Sequence, residues 1–203
     1  MKSLNSSVAF FLAATFGTLA QGTFIYDQQS STSEIVWPYG AGAHIRQLSP
    51  YGQSFTPSLS GIGFVRLNLN DNDPNNGLGA TLYLNLRANS ISGSILAVTP
   101  LVVLSNGFTG PVNFLFSSEV PLTPTSTYVF ELVLQSGSDF WNADAGEYSY
   151  PGGIVFANGT PSDGSDMWFR EGIYIVPEPS SGTLVLVCGG LALWVRRKRN
   201  FAP

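Results

Sequence analysis

The sequence predicts an all-β fold, an antiparallel β-sandwich of jelly-roll type. Apolar and polar residues alternate over short segments, clusters of Gly, Pro, Asn, Asp and Ser separate those segments, and no sustained 3.6-residue period runs through positions 23–166. Antiparallel strands with one solvent-exposed face bury the other face against a second sheet, which predicts two packed sheets. An immunoglobulin-type Greek key is the alternative, although the paired cysteines and central tryptophan of that fold are missing.

The strands follow from alternation at every second residue. At 65–70, two leucines and a valine alternate with arginine and asparagines, and 81–87 repeats the pattern. The turn-forming clusters lie at 71–79, 89–90, 106–111 and 136–139. The ten predicted strands are 23–26, 53–55, 65–70, 81–87, 94–98, 101–104, 112–116, 128–134, 153–157 and 167–175.

The first twenty residues are typical of a secretory signal peptide. Lys2 gives the N-terminal region a positive charge, an apolar core runs over 8–19, and small residues at Thr18 and Ala20 precede Gln21. We therefore expect cleavage between Ala20 and Gln21, with a retained N-terminal anchor as the alternative.

The C-terminal end has three parts in a fixed order. Pro177-Glu178-Pro179 comes first and favours an extended segment, and an uncharged stretch at 182–195 follows. As a helix this stretch is about 21 Å long, short for a bilayer core of about 30 Å, so flanking side chains must snorkel. The chain then carries a basic membrane stop, which consists of Arg196, Arg197, Lys198 and Arg199.

This arrangement resembles the PEP-CTERM sorting signal of Gram-negative bacteria. The matching features are the Pro-Glu-Pro at 177–179, the apolar run with its Gly189-Gly190 pair, and the terminal basic cluster. The resemblance implies an exosortase-like membrane enzyme that cuts near Pro-Glu-Pro, so the chain contacts the inner membrane transiently. An ordinary C-terminal anchor that is never cut is the alternative. The expected domains are 1–20, the sandwich at 21–176, and the sorting signal at 177–203.

The charge of the sandwich excludes one class of partner. Positions 21–176 hold four arginines, no lysine and twelve acidic residues, a net charge of −8. A nucleic-acid-binding domain needs a basic surface, so DNA and RNA are not expected partners. The single cysteine, Cys188, lies in the apolar tail, so the sandwich holds no disulfide.

A second resemblance covers most of positions 53–172. The order of Gly52-Gln53-Ser54-Phe55-Thr56, Pro121-Leu122-Thr123-Pro124, Tyr150-Pro151-Gly152-Gly153 and Asp166-Met167-Trp168-Phe169-Arg170 is similar to that of bacterial choice-of-anchor domains. These surface domains are similar to the galactose-binding-like sandwich. The resemblance implies an exported β-sandwich and brings no catalytic residues.

Catalytic motifs are missing from the sequence. His44 is the only histidine, no nucleophile-elbow motif occurs, and the sandwich has no cysteine nucleophile. We therefore expect no enzymatic activity. A secreted hydrolase that uses two carboxylates is the alternative. Its candidate acids are Asp139, Asp144, Glu147, Asp163 and Asp166.

We expect no cofactor, with Ca²⁺ as the alternative. Asp71, Asp73 and Asn75 place oxygen ligands at alternate positions, as in the first half of an EF-hand loop. Asn76 stands where that loop needs Gly, and Leu82 stands where it needs a bidentate Glu. The simpler interpretation is a polar hairpin loop.

Loop aromatics could bind sugars, because a sugar has both an apolar CH face and hydroxyls, which suits amphipathic rings. The alternative is that these rings seal the open ends of the sandwich. The candidate sugar contacts are Trp37, Tyr39, Trp141, Tyr148 and Tyr150.

Together these observations predict an exported, non-enzymatic surface or extracellular-matrix protein. A carbohydrate-binding module for matrix polysaccharide is the first alternative, and a secreted hydrolase is the second.

Overall fold

The computed structural model describes residues 22–33 and 42–176. Residues 23–175 form one unit, which the following paragraphs describe by itself. The signal peptide, the sorting motif at Pro177-Glu178-Pro179, the helix expected at 182–195 and the basic stop at 196–199 lie outside the described residues. Trp37 and Tyr39 lie outside them as well. Within the described part of the chain, no helix is long and apolar enough to cross a membrane.

The described residues contain fifteen strands. They are β1 (Thr23–Gln29), β2 (Ala43–His44), β3 (Tyr51–Phe55), β4 (Gly61–Asp71), β5 (Ala80–Ala88), β6 (Ile95–Val98), β7 (Val102–Leu104), β8 (Thr109–Pro121), β9 (Tyr128–Ser136), β10 (Trp141–Ala143), β11 (Ala145–Gly146), β12 (Val155–Ala157), β13 (Thr160–Ser162), β14 (Asp166–Met167) and β15 (Phe169–Ile175). Each predicted strand overlaps one of them. The alternation did not reveal the short strands β2, β10, β11 and β13, which have only two or three residues each.

The strands form two main antiparallel sheets. The first has the order β1-β15-β4-β10-β2, and β8 pairs with the opposite edge of β4. The second has the order β13-β12-β3-β9-β5-β6, and β7 also pairs with β5. A two-stranded ribbon of β11 and β14 completes the structure. The prediction of an all-β, antiparallel fold is confirmed.

One apolar core lies between the two sheets. Val65, Leu67 and Leu69 of β4 belong to this core, so the alternating Arg66 and Asn68 lie on the outer face. Aromatic rings from both sheets meet inside it: the centroids of Phe130 and Phe169 are 5.3 Å apart. The buried aromatic residues of the core are Tyr51, Phe55, Phe114, Phe116, Tyr128, Phe130, Trp141, Tyr150 and Phe169.

The first and last strands of the sandwich pair with each other. Thr23 lies opposite Ile175, and the register continues to Gln29 opposite Arg170 with a bulge at Asp27. Gly172 allows this close approach, because a Cβ there would lie 1.9 Å from the carbonyl oxygen of Ile25. The chain therefore enters and leaves the sandwich at the same end of the β1–β15 pair.

Candidate functional site

A surface cleft of about 310 Å³ lies beside the β11–β14 ribbon. It contains two of the predicted sugar contacts, Tyr148 and Tyr150, and two of the candidate acids, Glu147 and Asp166. The connection after β11 and the residues at the start of β14 thus bring these side chains together. The remaining lining residues are Ser149, Pro151, Gly153, Ile154, Gly164 and Ser165.

The buried acids near this cleft hold loops in place. Oδ1 of Asp166 accepts a hydrogen bond of 2.8 Å from Nε2 of Gln53, and Oδ2 accepts one of 2.9 Å from the backbone amide of Tyr150. Oδ2 of Asp144 accepts a hydrogen bond from the hydroxyl of Tyr148. Glu147 and Asp163 are exposed. The carboxylates of Asp166 and Asp144 thus have structural partners that a hydrolytic mechanism would have to release.

Trp141 differs from the expectation of an exposed loop aromatic. It lies in β10, is fully buried, and belongs to the apolar core between the sheets. Its ring therefore offers no face to a sugar. The reason is the pairing of β10 with β4, which places Trp141 opposite Asp71 and turns its ring inward.

Tyr148 and Tyr150 are 8% and 6% exposed, so both rings present little more than an edge at the cleft. The hydroxyl of Tyr150 accepts from the backbone amide of Thr56 and donates to Oε1 of Gln28. Burial raises the pKa of Tyr150 to about 12, opposed by the Thr56 hydrogen bond and assisted by nearby acidic groups. Tyr150 belongs to the apolar core between the sheets, and the hydroxyl of Tyr148 is held by Asp144.

His44 lies at an edge of the first sheet. It is opposite Asn142, and its Nδ1 forms a hydrogen bond of 3.1 Å with the carbonyl oxygen of Asp139. Arg46 binds the same residue through a 2.8 Å ion pair with Oδ1 of Asp139. Together these contacts anchor the turn before β10.

The predicted calcium ligands lie at the end of β4. Oδ1 of Asp71 accepts a hydrogen bond from the amide of Asp73, and Oδ2 accepts one from the amide of Gly107. These bonds join the loop after β4 to the loop before β8. Asn75 is exposed. Among the described residues, no three His, Cys, Asp or Glu side chains group as metal ligands do.

Glu171 is the acid that the sequence did not single out. Its side chain is fully buried, and neither carboxylate oxygen has a hydrogen-bond partner that meets ordinary geometry. Burial raises the pKa of Glu171 to about 9; the charge of Asp27 adds to the rise, and the backbone amide of Gln28 opposes it. At neutral pH this carboxyl is therefore protonated in the folded protein.

The outer face of the first sheet carries a second group of polar and aromatic residues. Nη1 of Arg66 donates a 2.9 Å hydrogen bond to the hydroxyl of Tyr26. The guanidinium carbon of Arg170 lies 5.3 Å from the ring centroid of Tyr26 and 5.1 Å from that of Trp168. Phe64 packs against Tyr26 with centroids 5.7 Å apart. We call this surface, with the asparagines described next, the outer polar face.

Three asparagines of the outer polar face have buried atoms without partners. They are Nδ2 of Asn68, Oδ1 of Asn113 and Oδ1 of Asn142. Asn68 and Asn142 are each 1% exposed. The large majority of buried polar groups in proteins are hydrogen-bonded, and leaving one unpaired costs about 1–3 kcal/mol. Sequence reasoning missed this group because single asparagines in alternating strands give no signal of their own.

Comparisons with known proteins add no family to this picture. No protein-family model matches the sequence, and a search of curated proteins finds no match.

Proposed function

We propose that the protein is an exported, non-enzymatic β-sandwich of the cell surface or extracellular matrix. In this proposal an exosortase-like enzyme of the inner membrane recognises the signal at 177–203 and processes it. The observation that carries the proposal is the order of Pro-Glu-Pro, apolar run and basic cluster directly after the sandwich.

The ends of the sandwich support this proposal. β15 ends at Ile175, two residues before Pro177, and pairs with β1, which begins two residues after Gln21. Cleavage after Ala20 and near Pro179 would therefore remove no paired strand residue. A fold of this kind tolerates processing at both ends.

We also propose that the sandwich is of jelly-roll type. The chain crosses repeatedly between the two sheets: β3 lies in the second sheet, β4 in the first, β5 in the second, β8 in the first and β9 in the second. Such crossings are typical of jelly rolls and Greek keys.

The test of the sorting proposal is the intact mass and cell fraction of the protein from its own host. We expect a species that begins at Gln21, ends near Pro179 and lies outside the inner membrane. A variant with Pro177→Ala and Pro179→Ala should accumulate uncut in the inner membrane. The matched control is Pro161→Ala in the exposed β13, which should be processed normally. A wild-type protein that keeps residues 196–199 in the inner membrane would contradict the proposal.

A second candidate function is binding of matrix carbohydrate. The exposed ring of Tyr26, beside the guanidinium groups of Arg66 and Arg170, favours it. The cleft favours it less, because the polar groups of Asp166, Tyr148 and Tyr150 already have partners.

A further inference from the structure

We propose that β7, at the open edge of the second sheet, pairs with β7 of a second copy of this chain and forms a two-fold symmetric dimer. The contact is centred on Val103, which lies opposite Val103 of the other copy. Dimer formation uses only the sandwich, so it is independent of the sorting signal and of carbohydrate binding.

The backbone of β7 presents hydrogen-bonding groups along its outer edge. Among the described residues, β7 pairs only with β5. The even-numbered residues of β5 bond toward this side, since the amide of Thr99 donates a 3.0 Å hydrogen bond to the carbonyl oxygen of Leu84. Val102, opposite Leu82, therefore bonds to β5. The N–H and C=O of Val103 point the other way, toward the open edge.

The side chains at this edge are apolar and exposed. Val103 is 77% exposed and Leu101 is 55% exposed. Val102 packs against the core, so its neighbours on either side lie on the outer face of the sheet. A second copy that covers this face removes apolar area from water, which favours association. The other exposed apolar residues of this edge, on β6, are Ile95, Leu96 and Val98.

No charge opposes the approach of a second copy at this edge. Positions 88–118 contain no Asp, Glu, Lys or Arg, although positions 21–176 carry a net charge of −8. Two copies of an acidic domain repel each other where their acids face each other, and they can meet where none are present. A basic partner protein would find no carboxylate at this edge, so the absence of charge favours a second copy.

Three other edge strands carry features that hinder strand pairing. β13 contains Pro161, β8 contains Pro111 and Glu119, and β1 has a bulge at Asp27. Proline, charge and bulges are the usual protection of an exposed edge. Pro100 lies between β6 and β7 and limits pairing to β7 and the residues after it. Within β7 itself, none of the three residues is a proline or a charged residue.

A two-fold axis beside Val103 would satisfy both copies at once. Residues that exchange both hydrogen bonds in an antiparallel pair have Cα atoms about 5.5 Å apart, and the two Val103 residues would form such a pair. Leu101 of each copy would lie opposite Ser105 of the other. Both copies use the same surface, so the contact closes as a dimer. The contact is small, and we therefore expect a weak dimer.

The experiment is analytical ultracentrifugation of the protein, in the form that the cell makes, at rising concentration. We expect a monomer–dimer equilibrium with a dissociation constant below about 100 µM, as for a small interface. Val103→Pro removes the outward N–H and should raise that constant by about tenfold or more. Its melting temperature should change little, because an edge strand tolerates a proline whose nitrogen faces solvent.

Ile25→Ser is the matched control. Ile25 is also an exposed aliphatic residue of an edge strand, but it lies in β1 of the first sheet. This variant should leave the dissociation constant of the dimer unchanged.

A cysteine variant keeps the test valid if Val103→Pro does not fold. Val103→Cys should form a disulfide between two copies on mild oxidation, because Cα atoms about 5.5 Å apart suit that bond. Ile25→Cys should remain monomeric under the same oxidation. Both variants carry Cys188→Ala, so that the introduced thiol is the only one in the chain.

Three outcomes would overturn the proposal. A wild-type protein that is still monomeric at about 1 mM would reject a second copy as the occupant of this edge. A dimer of unchanged affinity in folded Val103→Pro protein, without a disulfide in Val103→Cys, would place the contact on another surface. Species that grow beyond a dimer with concentration would show a contact that does not close, which excludes the two-fold arrangement.

Discussion

At the scale of single residues, Glu171 makes the stability of the fold depend on pH. Its carboxyl has a pKa of about 9 in the folded protein, against 4.5 in an unfolded chain. Between these two pH values the folded protein binds more protons at this site than the unfolded chain does. The free energy of unfolding therefore falls as pH rises through that window.

Replacing Glu171 with Gln should remove this dependence. Between pH 4.5 and pH 7, the variant should gain about 3 kcal/mol in free energy of unfolding relative to the wild type. Urea unfolding at several pH values measures this difference. Glu147→Gln is the control, because Glu147 is exposed. Equal pH profiles for wild type and Glu171→Gln would show that Glu171 is ionised in the folded protein.

Asp27 has the opposite effect on pH dependence. Burial acts to raise its pKa, but hydrogen bonds from the Ser58 hydroxyl, the amides of Leu59 and Ser58, and the Gln28 side chain hold the pKa below 3.8. These bonds join the bulge of β1 to the turn before β4. Their contribution is present above pH 3.8 and is lost as pH falls through the lower folded value.

Asp27→Ala should therefore reduce the free energy of unfolding by about 2 kcal/mol at pH 7, because charge-assisted hydrogen bonds to two backbone amides are lost. Thermal unfolding monitored by circular dichroism measures the change. Ser58→Ala removes only the hydroxyl contact and should cost less. A variant as stable as the wild type would show that the turn holds its position without Asp27.

At the scale of elements, the β6–β7 edge of the second sheet carries exposed apolar side chains. They are Ile95, Leu96, Val98, Leu101 and Val103. β6 and β7 each pair only with β5 among the described residues, so their other edge is unpaired there. An unpaired, apolar edge favours strand-to-strand association between molecules.

Val103→Lys should reduce association at this edge. Val103 is 77% exposed, so the free energy of unfolding should change by less than about 0.5 kcal/mol. Light scattering at rising protein concentration measures the effect. Leu104→Lys is the contrasting variant, because Leu104 is buried and the charge should unfold the protein. Unchanged scattering for folded Val103→Lys would place association on another surface.

At the scale of the whole molecule, the pairing of β1 with β15 joins the two ends of the sandwich. A fragment of residues 22–176 contains every described strand. We expect it to unfold in one cooperative transition, with the same midpoint as the processed protein. Differential scanning calorimetry measures both midpoints. A fragment that does not fold would show that residues beyond the sandwich contribute to its stability.

The sequence alone determined the all-β, antiparallel class and the approximate positions of the long strands. Alternation of apolar and polar residue types is clear where a strand is long, as in β4, β5 and β9. It fails for β10, where three residues are too few to show a period, so the sequence does not distinguish Trp141 from a loop residue. The expected sorting signal follows from local order and needs no tertiary structure.

Only the tertiary structure decided which residues meet. Glu171 is buried because its register opposite Val65 places it on the inner face of the first sheet. Asp71 binds Gly107 because β4 pairs with β8. The three asparagines of the outer polar face come from strands that are far apart in the sequence, and pairing with β4 brings them together. Burial and cross-strand register depend on these non-local contacts, and no local pattern of residue types encodes them.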